Sequence, residues 1–338
     1  MIGSYMKERD NNIDLLRFIG LSLIILAHVS PPLLVLNIRC FDVPLMVFIS
    51  GLTCYNKNVP FSWNYLSHRF ARLVFPVWIF LSVYFTPIIL LKFLGIDLGL
   101  KFQHVWGSYL LLNGIGYVWI IRVFLLIALL TPLLTRINTL IKNNVNFILC
   151  YSGLLALYLF LTFYRIGYDI DIIRDWMYYA IGYSFLFLLG LRIKSFGIRT
   201  KLGLLFIMIL IFIILSIIDI DVQNYTDSIF YHVNDWKYPP VNIYLIYGII
   251  MSVLIYSLVY LVQRTKLNPF VRFVGCNSIW IYLWHIPIVA IIEKIDMAYW
   301  SKYVIVYTLA IIIYNIQLYI VKHIKSKRYY GLLKYLEG

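Results

Sequence analysis

Charge is what this chain has least of. Asp, Glu, Lys and Arg make up only 13% of its 338 residues, against 62% hydrophobic, whereas soluble domains carry roughly a quarter charged residues. That balance excludes a soluble globular domain. Cysteine is scarce as well: Cys40, Cys54, Cys150 and Cys276 have no paired spacing, so neither a disulfide framework nor a cysteine metal site is expected. His68, His104, His232 and His323 fall in loops or at span ends with no shared helical spacing, and no metal is expected there either. No glycine-rich phosphate cradle, Ser-His-Asp order or nucleic-acid motif stands out. Repeats, low-complexity stretches and soluble terminal domains are missing, so residues 1–338 are expected to form a single membrane domain.

Long apolar runs are what the chain does have. A bilayer span needs about 20 mostly apolar residues, and ten such runs lie at 13–34, 41–56, 72–94, 115–135, 145–164, 176–191, 202–219, 240–262, 273–292 and 301–321. The sequence therefore predicts an all-α polytopic membrane protein with about ten transmembrane helices. The second run is short, and residues 102–112 form either an interfacial helix or part of the fourth span. The first run follows a polar start and reads as a span, not a cleavable signal.

The net charge of +14 is a topology signal and carries no hint of nucleic acid. With the N-terminus inside, Lys57, Arg69, Arg72, Arg136, Lys142, Arg192, Lys194, Arg264, Arg272 and Lys325 fall on the inner side. Asp169, Asp171, Asp175, Asp219, Asp221, Asp227 and Asp235 fall outside. Basic residues concentrate on cytoplasmic loops beside an anionic inner leaflet. Both termini are thus expected in the cytoplasm and the protein in the cell membrane, as a multi-pass protein among lipids. The longest outer loop, about 220–239, is acidic and aromatic, a composition suited to carbohydrate and to any ordered surface loop.

Two ionisable residues interrupt the first span, in "RFIGLSLIILAHVS". Ionisable groups within a membrane are costly and mark function or a local pairing need. Arg17 and His28 lie eleven residues apart, about three turns, so they share one helix face about 16 Å apart along the axis. Asp14 lies near the same face and can pair with Arg17. A neutral imidazole suits proton transfer, having an unperturbed pKa of about 6.5. An arginine fork at the inner end suits a phosphate-bearing ligand from the cytosol. The plainer alternative has Arg17 reaching to the headgroups and His28 hydrogen-bonded to a neighbouring helix.

The segments that follow supply a resemblance. Arg17 and His28 in "DLLRFIGLSLIILAHVS", Ser50 and Gly51 in "VPLMVFISG", and Arg69, Arg72 and Pro76 in "HRFARLVFPVWIF" come in order. "GYVWIIRVFLLIALLTPLL", with Trp119, and "SIWIYLWHIPIV", with Tyr282 and His285, complete the set. The chain so resembles the acyltransferase-3 family of integral membrane acyltransferases along nearly its whole length. "WKYPP" at 236–240 is reminiscent of members encoded among polysaccharide genes. Many members carry an acid a few residues before the Ser-Gly, where this chain has Pro44; the nearest acid is Asp42.

The resemblance implies an acyltransferase that O-acylates a cell-surface glycan or its lipid-linked precursor, with acetyl-CoA or another acyl-CoA as donor substrate and no bound cofactor. On it rest the expected roles. His28 is the general base or a covalent acyl carrier. Arg17, Arg69 and Arg72 are candidates for the phosphates of coenzyme A, the last two also reading as a positive-inside anchor. Arg122 is expected to face a polar cavity and to stabilise charge on the thioester oxygen. Ser50 and Gly51 are expected to let the second helix pack closely on the first. Trp119 lines the acyl path or is a plain core tryptophan, and Tyr282 and His285 mark a second candidate site. A homo-oligomer is allowed. An exporter of polysaccharide or lipid-linked sugar without acyl chemistry is the rival, as is a glycan polymerase; inverted halves and paired broken helices, expected of the exporter, are not evident.

Overall fold

The computed structural model describes residues 10–96, 99, 101–112, 114–223, 232–262, 266–324 and 335–336. No strand occurs among them. The helices in chain order are α1 (Asn11–Ala27), α2 (Leu33–Ile38), α3 (Asp42–Thr53), α4 (Trp63–Phe93), α5 (Phe102–Tyr109), α6 (Trp119–Leu140), α7 (Asn144–Phe163), α8 (Tyr178–Arg192), α9 (Ile198–Gln223), α10 (Asn242–Val262), α11 (Pro269–Cys276), α12 (Ser278–Ile292) and α13 (Tyr299–Ile324). Among the described residues eight helical segments are long and apolar enough to cross a membrane, α2 and α3 counting together as Leu33–Thr53, and the bent pair α11–α12 makes a ninth. Of the basic residues assigned to the inner side, Arg264 and Lys325 lie outside the described residues, as do residues 224–231 of the long outer loop.

Proline chemistry and side-chain hydrogen bonds explain where the elements depart from the apolar runs. The first run was expected to continue to residue 34, but α1 has 17 residues and stops at Ala27. Pro31 and Pro32 follow, with Ser30 at φ 53°. A proline has no N–H and its ring disfavours a helical residue before it, so the chain turns and restarts as α2. The run 273–292 was expected to be one span and instead bends by 83° between α11 and α12. The hinge is Asn277. Its Nδ2 donates to the Phe273 carbonyl and its Oδ1 accepts from the Tyr314 hydroxyl, so side-chain bonds replace the interrupted helix ladder. Residues 102–112 are resolved too: α5 is a separate helix, joined to α4 through Trp78 Nε1 and the Tyr109 carbonyl.

At the centre stands α1, against α3, α10, α11, α12 and α13. The close approach predicted at Ser50-Gly51 exists, but its partner is α8 and not the first helix. A Cβ on Gly51 would collide with the Phe187 carbonyl, and one on Gly190 with the Phe48 carbonyl. Reciprocal glycines let the two backbones touch, as membrane helix pairs require when packing replaces the hydrophobic effect. Toward α1 the α3 helix offers Met46 instead, which meets Gly20. Helices α7, α9 and α13 lie outside, and their exposed Leu154, Phe160, Leu202, Phe206, Ile312 and Ile316 suit contact with lipid tails.

Candidate active site

One stripe of α1 organises the site. Arg17, Leu21 and Ile24 recur at helical spacing and so share a face, and His28, the residue that caps α1, follows about one turn on. Arg17 lines a cavity of about 370 Å³ with Ser50, Lys57, Tyr65, Arg69, Arg72 and Cys276. Leu21 and Ile24, one and two turns on, line a narrower space of about 150 Å³ with Met46, Ile120, Ile121 and Tyr282. Both spaces are bounded by Leu73, Phe124, Ser278 and Ile279, so they adjoin. The path begins basic and narrows into apolar walls.

Its cations come from three elements. Asp14, 1% exposed, sits 3.6 Å from Arg17 as the predicted i,i+3 pair and accepts from Cys276 Sγ. α4 starts well before the apolar run 72–94, capped by Ser62, and this early start sets Arg69 and Arg72 on its first turns. Arg69 also lies 5.5 Å over the Tyr65 ring. Lys57 follows the end of α3, its ammonium bonded to the Thr53 carbonyl. Among the described residues no carboxylate lines the cavity. Ser50 does, while its hydroxyl donates back to the Met46 carbonyl.

At the far end two histidines meet. His285 Nε2 lies 3.0 Å from His28 Nδ1, and the Tyr117 ring stands edge-on to His28 at 4.6 Å. His285 is fully buried and its Nδ1 bonds the Tyr282 carbonyl. Tyr282, whose ring centroid is 5.0 Å from that of His285, donates its hydroxyl to the Tyr117 carbonyl. A carbonyl only accepts, so His285 carries its proton on Nδ1 and a neutral His285 offers Nε2 as acceptor. His28 then donates from Nδ1, which leaves His28 Nε2 with an open lone pair. Pairing fixes the tautomer.

Beside the histidines lies a charge cluster that sequence reasoning missed. Asp42, the first residue of α3, takes Arg39 Nη1 at 2.6 Å and Lys237 Nζ at 3.2 Å on its two oxygens, and Oδ1 also accepts from the Val43 amide. All three are at least 95% buried, and both cations act on the His28 ring. Lys237 also faces the rings of Trp119 and Tyr238 at 5.7 Å. The nearest acid to the Ser-Gly thus holds two cations, and the partner of His28 is a histidine.

The remaining expected residues fall around this cluster. Trp119 packs on Tyr238 and Tyr179, away from the residues lining the basic cavity. Arg122 lies 5.4 Å over both Trp176 and Tyr179, with a buried Nε that has no hydrogen-bond partner among the described residues. Its helical phase turns it from Ile120 and Ile121, which line the narrow path. Among the described residues no group of three or more His, Cys, Asp or Glu could hold a metal ion. The sequence did hold a signal for the missed cluster: Arg39 and Asp42 at i,i+3 beside an apolar run, and a lysine inside "WKYPP". The His28–His285 contact spans 257 residues of sequence and left no local trace.

These features define a class: a helical membrane protein with a basic cavity at one end of a helix and, at the other, a half-buried histidine bonded to a fully buried one. The chain belongs to the acyltransferase-3 family, whose acyltransferase-domain model matches residues 10–314. No curated protein and no solved structure matches it.

Proposed function

We propose that this protein moves an acyl group, acetyl in the simplest case, from acyl-CoA to a hydroxyl of a cell-surface glycan or its lipid-linked precursor. The observation that carries the proposal is the continuous α1 stripe from Arg17 to His28, bounded by a basic cavity at one end and a tautomer-fixed imidazole at the other. With α1 as a further, central span the count reaches ten, and the positive-inside pattern turns the Arg17 end to the cytosol and both termini with it. Acyl-CoA then approaches from the side on which it is made.

In this account Arg17, Arg69, Arg72 and Lys57 hold the donor's phosphates, and the pantetheine arm follows the apolar walls past Ser50, Leu21, Ile24 and Tyr282. His28 Nε2 takes the proton of the acceptor hydroxyl as its oxygen attacks the thioester carbonyl; the C–S bond breaks and coenzyme A leaves as a thiolate that then takes up a proton. The Nδ1–H bond to His285 turns the base toward the substrate and spreads the imidazolium charge. Lys237 and Arg39 supply positive potential where the acyl oxygen becomes negative. Arg122, set among Trp119, Tyr179 and Trp176, is assigned to the acceptor side and no longer to the thioester oxygen. Direct transfer needs no acyl-enzyme, although Nε2 is also the atom that would carry one.

The test is purified protein in nanodiscs with acyl-labelled acetyl-CoA and a surface-glycan fraction from its own source. Label that passes to the glycan and is released by mild alkali supports O-acylation. Intact thioester and unlabelled glycan, with competent protein and authentic acceptor, would favour the exporter.

A further inference from the structure

The family match ends at residue 314, yet the chain returns to the donor cavity after it. Tyr335 lines the basic cavity together with Arg69 and Arg72. The same ring borders a second, mostly apolar groove of about 850 Å³, whose walls include Trp63, Phe70 and Phe75. Three contacts seat it. Trp280 Nε1 donates to the Tyr335 carbonyl at 2.9 Å, and Gln317 Nε2 donates to the Leu336 carbonyl at 2.7 Å. The Tyr335 ring stands edge-on to Phe75 at 5.5 Å.

The seat is built into the bundle. Trp280 is 1% exposed at the start of α12, one residue past Ile279 in the cavity wall. Gln317 is also fixed, because its Oε1 accepts from Trp284 Nε1 at 2.6 Å. One amide therefore ties α12 and α13 to residue 336. Buried indole N–H groups need acceptors, and here one of them is backbone from beyond the family domain.

We infer that Tyr335 is a binding residue for the nucleotide end of the donor, an aromatic face for its purine base. The inference rests on the donor assignment made above. Position selects the base over the thioester: Tyr335 stands among the cations, and the narrow space assigned above to the pantetheine arm is lined without it. It selects a wall over a plug, because the cavity persists with the ring in place. A 3′-phosphorylated adenosine diphosphate unit matches the combination of clustered guanidinium groups and aromatic rings, phosphates on the former and base on the latter.

Full-length protein in nanodiscs would be titrated with coenzyme A, adenosine 3′,5′-bisphosphate and 4′-phosphopantetheine. Tyr335→Ala removes the ring and leaves both backbone carbonyls latched. It should weaken coenzyme A and the bisphosphate by about tenfold, the scale of one base–aromatic stack, and leave phosphopantetheine unchanged. Tyr335→Phe should bind as wild type. Gln317→Glu, which keeps an acceptor for Trp284 but loses the donor to Leu336, should resemble Tyr335→Ala. Equal coenzyme A binding by wild type and Tyr335→Ala would overturn the inference while the donor assignment stands, and tighter binding would make the tail a plug. Wild-type protein that binds none of the three would overturn the donor assignment itself.

Discussion

At the Arg17 end the described residues lining the cavity include four cations and no carboxylate, and Arg17 itself keeps 31% of its side chain exposed. At the His28 end Arg39 and Lys237 are 5% and 4% exposed and share the single carboxylate of Asp42. Both ends are basic, but their charges do different work. Guanidinium groups that stay within reach of water lose less when a neighbour is removed, so a substitution at this end is felt more in binding than in the fold. Buried ions have already lost their water, so each depends on the others for its solvation. A substitution there is felt first as instability.

That difference sets the order of the expected effects. Asp42→Asn should be the most damaging, since it leaves two buried cations without their counter-charge; breaking a buried ion cluster costs about 3–5 kcal/mol. Thermal unfolding in detergent should fall steeply, and an Asp42→Asn protein as stable as wild type would erase the contrast between the ends. Gly190→Leu comes next. The added side chain must part α8 from α3 at the Phe48 carbonyl, an overpacking cost of about 1–3 kcal/mol, again read as a lowered unfolding temperature.

Arg72→Gln tests the open end. It should weaken coenzyme A by about tenfold, the worth of one charge-assisted hydrogen bond, with melting lowered far less than by Asp42→Asn and a flatter dependence of affinity on salt. The smallest effect belongs to Asp10, the α1 N-cap. Burial pushes its carboxyl up, but hydrogen bonds from Tyr260 and Lys194 and the Lys194 charge outweigh that and hold it below the usual 3.8. A lowered carboxyl contributes stability above its unfolded pKa and loses it as pH falls through the folded one. Asp10→Asn should therefore melt slightly lower than wild type at neutral pH, by less than about 1 kcal/mol for a part-exposed group. The gap should close below pH 4.

The sequence carried most of what local chemistry can encode. All but the first, third and ninth of the expected spans match a helix closely, the third beginning early at Trp63, because apolar runs of bilayer length leave the backbone no other way to satisfy its hydrogen bonds. The Arg17–His28 face was legible from helical phase alone, and so was the Asp14–Arg17 pair. Apart from the turn at Pro31-Pro32, which is local, what failed depended on contacts between distant segments. Gly51 announced a close approach without naming α8 as its partner. Asn277 gave no sign of an 83° bend, which needs the Tyr314 hydroxyl from α13. Asp42 looked like a stray acid until Lys237 arrived from 195 residues away. Periodicity announces a face; only folding decides what stands opposite.

The central claim is that one helix face serves two chemically separate ends. It is tested most directly by comparing Arg17→Gln with His28→Ala in two assays on the same nanodisc samples, coenzyme A affinity and acyl transfer at saturating donor. The account predicts a crossed result. His28→Ala keeps wild-type affinity and loses transfer by about 10²–10⁴-fold, the range for a general base; Arg17→Gln binds coenzyme A about tenfold more weakly and still transfers once saturated. Loss of affinity in His28→Ala with transfer retained at saturation would contradict it.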